Sequence, residues 1–235
     1  MKKTQVIEQN VKYGCEFCKR EFVRERTLFS HLCEYKQRWL DRDYAGNRLG
    51  FQSWLQFYTK HSNSKTKNKT YEEFIKNPYY ILFVKFGNYC VDVNVLNPSR
   101  YIDWSLKDNI KIDNWTSDQV YTKYLCEYLR VEDAFDALER SVNHCGLLGT
   151  SENIQPNDVL RYGNPNRICH SITTGKISPW MLYQSGSGTK FLDELDQTQV
   201  KMVIDYINPE LWAIKFKRNP DKVTEVKGLL SAAGY

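Results

Sequence analysis

Cys15, Cys18 and His31 are spaced C-x2-C-x12-H, and this constrains the chain more than any other feature. Two thiols on one tight turn can share a metal ion, and twelve further residues suffice for a hairpin and a helix that returns an imidazole to the same ion. The apolar contacts of such a miniature fold are also in place, with Tyr13 two before the first cysteine, Phe22 four after the second and Leu28 three before the histidine. Seven cysteines, an odd number, scattered over 235 residues do not form the pattern of a disulfide-stapled secreted domain, which leaves thiols and metal ligands.

Residues 13–31 resemble a two-cysteine two-histidine zinc finger, matching its aromatic-x-C-x2-C-x3-F-x5-L-x2-H pattern over about a tenth of the chain. The resemblance implies a ββα module holding one structural Zn2+. Its last ligand departs from the family, because Tyr35, Lys36 and Gln37 stand three to five residues beyond the histidine, and none is a usual zinc ligand. Cys33 is the nearest candidate, completing a Cys15, Cys18, His31, Cys33 set. In a regular helix, however, residues two apart point about 200° away from each other, so the helix must end or tighten at Leu32 for Cys33 to turn back. His61, from a later loop, or a water molecule are the alternatives.

In the usual finger register Arg24 falls at helix position −1, Arg26 at 2, Thr27 at 3 and Ser30 at 6; positions −1, 3 and 6 reach bases in DNA-reading fingers. Arg24 can grip a guanine through its paired acceptors, while Lys19 and Arg20 can meet phosphates. Charge agrees, since residues 1–69 carry 15 Lys and Arg against 7 Asp and Glu, whereas the remainder carries 18 against 21. A polyanionic partner meets the amino-terminal end first. One finger addresses only about 3 bp, so specificity requires a second domain or subunit, and Glu16, Glu21 and Glu25 dilute the basic face. Protein contact and simple stapling are therefore competing roles.

The rest reads as helical. Five prolines follow asparagine, at Asn77, Asn97, Asn164, Asn208 and Asn219, and Pro179 follows Ser178; these pairs suit helix starts, the polar side chain capping and Pro occupying the first turn. Thr70 with Glu73, and Thr116 with Gln119, have capping-box spacing. Val120, Tyr121, Tyr124, Leu125, Tyr128 and Leu129 repeat at three and four, as one buried helix face does. Phe191, Leu195, Val203, Ile204 and Ile207 sketch another, broken at Asp196. The predicted fold is mainly α: a small ββα module over 1–37, a bridging helix and lysine-rich linker over 38–69 containing "HSNSKTKNKT", and a multi-helix body over 70–235 divided near 146–166. No apolar run approaches a membrane span and no charged-then-apolar leader is present, which predicts a soluble, cytosolic chain.

Weaker signals have bland readings. His144-Cys145 and Cys169-His170 lack metal-site spacing and suit packing, and Cys90 and Cys126 suit small buried hydrophobes. "SGSGTK" at 185–190 lacks the phosphate-loop spacing and reads as a flexible turn. "LRYGNPNRICHSITTGKISPWMLYQSGSG" concentrates residues suited to a second functional surface, although helix starts and core aromatics explain much of it. No catalytic set is legible; an enzyme, especially a zinc-associated nuclease, is a further alternative that nothing in the sequence requires. Together with the finger, "PYYILFVKFGNY" and "ITTGKISPWMLYQSGSG" resemble an uncharacterised protein family of T-even-type contractile-tailed phages. The resemblance implies a virus protein made in the host bacterial cytoplasm, or virion-associated. Its partners would be nucleic acid in transcription, replication or genome handling, or else tail and baseplate hub proteins during assembly.

Overall fold

A computed structural model describes residues 12–61 and 69–235; the first eleven residues, most of the lysine-rich segment and the His61 side chain offered above as a ligand lie outside the described residues. The chain forms two compact units, 1–116 and 117–235. The Gly-, Asn- and Pro-rich stretch 146–166 lies inside the second. The architecture is mainly α with one two-stranded sheet at the amino-terminal end.

In the first unit β1 (Tyr13–Gly14) pairs antiparallel with β2 (Glu21–Phe22), Tyr13 opposite Phe22. There follow α1 (Glu25–Ser30), α2 (Glu34–Leu40), α3 (Ala45–His61), α4 (Tyr71–Ile75), α5 (Tyr80–Val93) and α6 (Pro98–Lys107). The Thr70–Glu73 capping box starts α4, each side chain meeting the other residue's backbone N–H. Helix α5 buries Phe83, Phe86, Gly87 and Cys90, the spacing of one face. That face meets α3 at backbone distance: a Cβ on Gly87 would lie 1.9 Å from the Gly46 carbonyl oxygen, and one on Gly50 would lie 2.8 Å from that of Phe83. Gly46 and Gly50, one turn apart, thus let the two helices touch without side chains between them. Around this contact Trp54, Phe74, Phe83, Phe86, Tyr101 and Trp115 form a buried aromatic core. The Tyr101 hydroxyl donates to the Trp115 carbonyl at 2.9 Å and the Trp115 indole to that of Ile110 at 3.0 Å, so these rings bury without orphaning their polar atoms.

The second unit contains α7 (Asp118–Val131), α8 (Ala134–Glu152), α9 (Val159–Tyr162), α10 (Pro165–Thr173), α11 (Pro179–Gln184), α12 (Gly186–Asp193), α13 (Gln197–Ile207), α14 (Pro209–Lys217) and α15 (Pro220–Ala232). Short α11 is the centre, with Pro179, Trp180, Met181 and Leu182 all buried. Tyr121, Tyr124, Leu125 and Leu129 bury from α7, and Asp196 breaks the second stripe as the capping box of α13. Beneath α11 Glu132, almost wholly buried, takes both terminal nitrogens of Arg140 at 2.7 and 2.9 Å and the Ser178 hydroxyl at 3.3 Å. Burial pushes the Glu132 carboxyl above its ordinary value, and Arg140 opposes that shift.

Several local expectations are corrected. Asn97, Asn164, Ser178, Asn208 and Asn219 do occupy N-cap positions before Pro. Asn77 does not; its side chain accepts from the Tyr79 N–H in a turn, and α5 starts only at Tyr80. Helix α7 is capped at Ser117 rather than Thr116, without a side-chain bond. "SGSGTK" is not a turn but the start of α12: Ser185 caps it, accepting from the Gly188 N–H at 3.0 Å, and Gly188 lies against the Leu182 carbonyl where a Cβ would come within 2.4 Å. The aromatic-rich stretch proposed as a second surface is largely helix, with Trp180 in the core and Tyr162 exposed.

Gly87→Ala is expected to destabilise the protein by about 1–3 kcal/mol through overpacking. Gly146→Ala, in α8 with nothing within 4 Å of the added methyl, should stabilise by about 0.4–1 kcal/mol; denaturant unfolding of both variants checks the pair.

Candidate metal centre

The turn carrying the first two cysteines is closed by backbone bonds, Cys15 N–H to the Arg20 carbonyl at 2.9 Å and Lys19 N–H to the Cys15 carbonyl at 2.8 Å. Lys19 adopts a left-handed conformation, φ 62°, which reverses the chain directly after Cys18. The strands then lead to α1, which begins after Arg24 and lasts six residues.

Helix α1 stops at Ser30, before the histidine and not at Leu32. His31 (φ −71°, ψ 122°) and Cys33 (φ −85°, ψ 164°) are both extended. On an extended chain residues two apart point to the same side, so the clash of direction foreseen for a continuous helix disappears. Leu32, between them, is exposed. The freed His31 carbonyl accepts from Lys36 Nζ at 3.1 Å, and Cys33 becomes the N-cap of α2.

The result is one cluster: the ligand atoms of Cys15, Cys18, His31 and Cys33 all lie within 4.8 Å of one another, a group that can hold a metal ion. Cys15 Sγ is 3.9 Å from Cys33 Sγ, and Cys18 Sγ is 3.2 Å from His31 Nε2. The sulfur pair is far beyond the length of about 2.05 Å of a disulfide, and all seven cysteines are free. Burial pushes the Cys15 thiol up, but the N–H groups of Cys18 and Phe17, together with the side chains of Cys18 and Cys33, outweigh it and hold it below the ordinary value. For Cys18 the Arg20 N–H favours the thiolate, yet burial and the neighbouring sulfurs of Cys15 and Cys33 raise it.

Rings connect the centre to the rest of the first unit. Phe22 lies 4.8 Å from the His31 ring. Phe17, inside the cysteine turn, meets Trp39 of α2 at 6.1 Å, and Trp39 meets Tyr71 edge-on at 5.9 Å. Arg38, also on α2, donates to the Ile75 carbonyl at 2.5 Å and lies 4.3 Å over the Tyr80 ring. Phe17 and Trp39 were not singled out from sequence; an aromatic between two ligand cysteines was the available signal.

Lys19, Arg20, Arg24, Arg26, Thr27 and Ser30 are all exposed. Lys19 and Arg20 stand on the cysteine turn, and Arg26 and Ser30 one helical turn apart on α1. Arg20 lies 5.5 Å over the Phe22 ring, and the Ser30 hydroxyl donates back to the Arg26 and Thr27 carbonyls. Among the described residues the two later Cys/His pairs form no metal-holding group; His144 Nε2 bonds Ser171 Oγ at 2.8 Å, while Cys145 and Cys169 are buried. Burial pushes the thiols of Cys90 and Cys145 to about 12 and that of half-buried Cys126 to about 11. Among the described residues no helix is long and apolar enough to cross a membrane. No protein-family model, curated protein or solved structure matches the chain.

Cys33→Ser should weaken metal binding by more than the roughly 10–100-fold typical of a change outside the ligand set, whereas Cys126→Ser leaves it unchanged. Competition with a chromogenic chelator measures both.

Proposed function

We propose that the protein is a zinc-stapled accessory protein that contacts nucleic acid through its amino-terminal module. Three thiolates and one imidazole form a donor set suited to Zn2+. With bonds of about 2.3 Å to sulfur and about 2.0–2.1 Å to nitrogen, tetrahedral ligation puts two sulfurs about 3.8 Å apart and sulfur about 3.6 Å from nitrogen. The Cys15–Cys33 separation of 3.9 Å matches the first figure, and the Cys18–His31 separation of 3.2 Å is shorter than the second. Four protein ligands make the pattern of a structural rather than a catalytic site; when bound, the ion supplies charge neutralisation and cross-linking.

The observation that carries the nucleic-acid reading is the exposure of Lys19, Arg20, Arg24 and Arg26 on the module the cluster staples, in a segment with twice as many cationic as anionic side chains. These side chains suit phosphate and guanine contact, and the short α1 limits how many bases one module reads. A phage setting, in a host bacterial cytoplasm, rests on the resemblance of the whole chain to the T-even-type family.

One observation favours a second reading. Phe29 is 88% exposed and Val23 75%, and such large apolar side chains beside a staple suit protein contact, as in a tail or baseplate assembly factor.

A mobility-shift titration decides between them. Nucleic-acid contact predicts affinity that falls steeply with salt and that Arg24→Ala combined with Arg26→Ala reduces, with a shallower salt slope. Absence of any shift at low salt, with Phe29→Ser abolishing co-purification with tail-hub proteins, would establish the protein-contact reading instead.

A further inference from the structure

The second unit holds a concave surface that the amino-terminal module does not use. It is a cavity of about 640 Å3 between the α7–α8 corner and helices α14 and α15. Four cationic side chains line it: Arg130, Lys215, Arg218 and Lys222. Its two carboxylates are engaged. Glu132 is bonded by Arg140 and Ser178, and Asp133 accepts from Lys222 at 2.5 Å while capping α8 through the Phe135 N–H at 2.8 Å.

The remaining cations have donors to spare. Lys215 Nζ donates once, to the Arg130 carbonyl at 2.5 Å, and is held 5.2 and 5.3 Å over the rings of Trp180 and Trp212. Arg130 uses only its Nε, on the Cys126 carbonyl at 2.9 Å, and Arg218 is exposed. Burial pulls Lys215 down to about 8, with Lys222 adding to the effect and Glu132 and Asp133 opposing it. A half-buried ammonium with donors to spare, beside two guanidinium groups in a recess whose two carboxylates are already engaged, suits an anion. Leu211 and Ile214, both exposed on the same wall, offer an apolar rest for whatever carries that anion.

We propose that this cavity binds a phosphate-bearing ligand, its anion held by Lys215, Arg130 and Arg218 and its apolar portion lying against Leu211 and Ile214. The volume falls in the range of about 300–1,000 Å3 of small-molecule sites, which points to a nucleoside phosphate; the same phosphate chemistry on a nucleic-acid backbone is the other source.

Isothermal titration of the full chain with ADP, with inorganic phosphate and with a short single-stranded oligonucleotide tests this. ADP should bind more tightly than phosphate, and Lys215→Met and Arg218→Gln should each weaken it about tenfold or more, the loss of one charge-assisted contact. Arg24→Ala with Arg26→Ala should leave ADP binding unchanged, separating this site from the finger. Oligonucleotide binding tighter than ADP and lost in Lys215→Met would support the site and identify its source as a backbone. Failure of all three probes to bind wild-type protein, or binding unaltered in both exposed Arg218→Gln and Lys215→Met, would overturn the proposal.

Discussion

Two residues apart on a helix point away from each other, and two residues apart on an extended chain point together; the amino-terminal module depends on that difference. Because α1 gives way to extended backbone at His31, the imidazole and the Cys33 thiol reach one point from a single short stretch. The same change of backbone starts α2, with Cys33 as its N-cap. The cysteine–histidine cluster therefore ends where α2 begins, and α2 in turn carries Trp39 to Phe17 and Arg38 to the Ile75 carbonyl. A module that on its own would bury little is thereby joined to the aromatic core of its unit.

The two units solve their packing differently. In the first, α3 and α5 approach until backbone meets backbone at Gly46, Gly50 and Gly87, and large rings fill the space on either side. Dispersion and ring-edge contacts hold such a core, and any added methyl at the crossing is paid for in displaced backbone. In the second, the buried Glu132–Arg140 pair sits under α11, each oxygen and terminal nitrogen matched. Ion pairs of this kind add little net stability, but removing one partner strands a charge. Glu132 is bonded to Arg140, while Lys215, nearby, donates to the Arg130 carbonyl instead.

The helical class, the two-stranded start and the Cys/His cluster that could hold a metal were legible because each rests on local spacing. Cys15, Cys18 and His31 announce themselves by number of intervening residues, and Asn97, Asn164, Ser178 and Asn208 by a cap followed by Pro. Legibility failed where tertiary contact decides. Ser185 and Gly188 look like turn residues, yet the Leu182 carbonyl leaves room for nothing larger than glycine there, so the glycine marks close packing inside a helix start. Asn77-Pro78 has the same letters as the true starts, but its side chain closes a turn instead. The Glu132–Arg140 pair joins the α7–α8 corner to α8 and the cationic cavity gathers residues from separate helices, and no single-sequence period reports them. Where α1 ends was half legible: a break was required for Cys33 to serve, and its place, after Ser30, came from the structure.

Two cationic surfaces are proposed, a basic module at one end of the sequence and a recess in the second unit, and the metal is proposed for the first alone. Cys15, Cys18, His31 and Cys33 are proposed to hold one zinc ion together. X-ray absorption at the zinc edge tests this most directly. One equivalent of zinc per chain, surrounded by three sulfurs at about 2.3 Å and one nitrogen at about 2.0–2.1 Å, is the predicted result. A shell of two sulfurs completed by nitrogen or oxygen donors, or protein purified without chelators that carries no stoichiometric zinc, would contradict it.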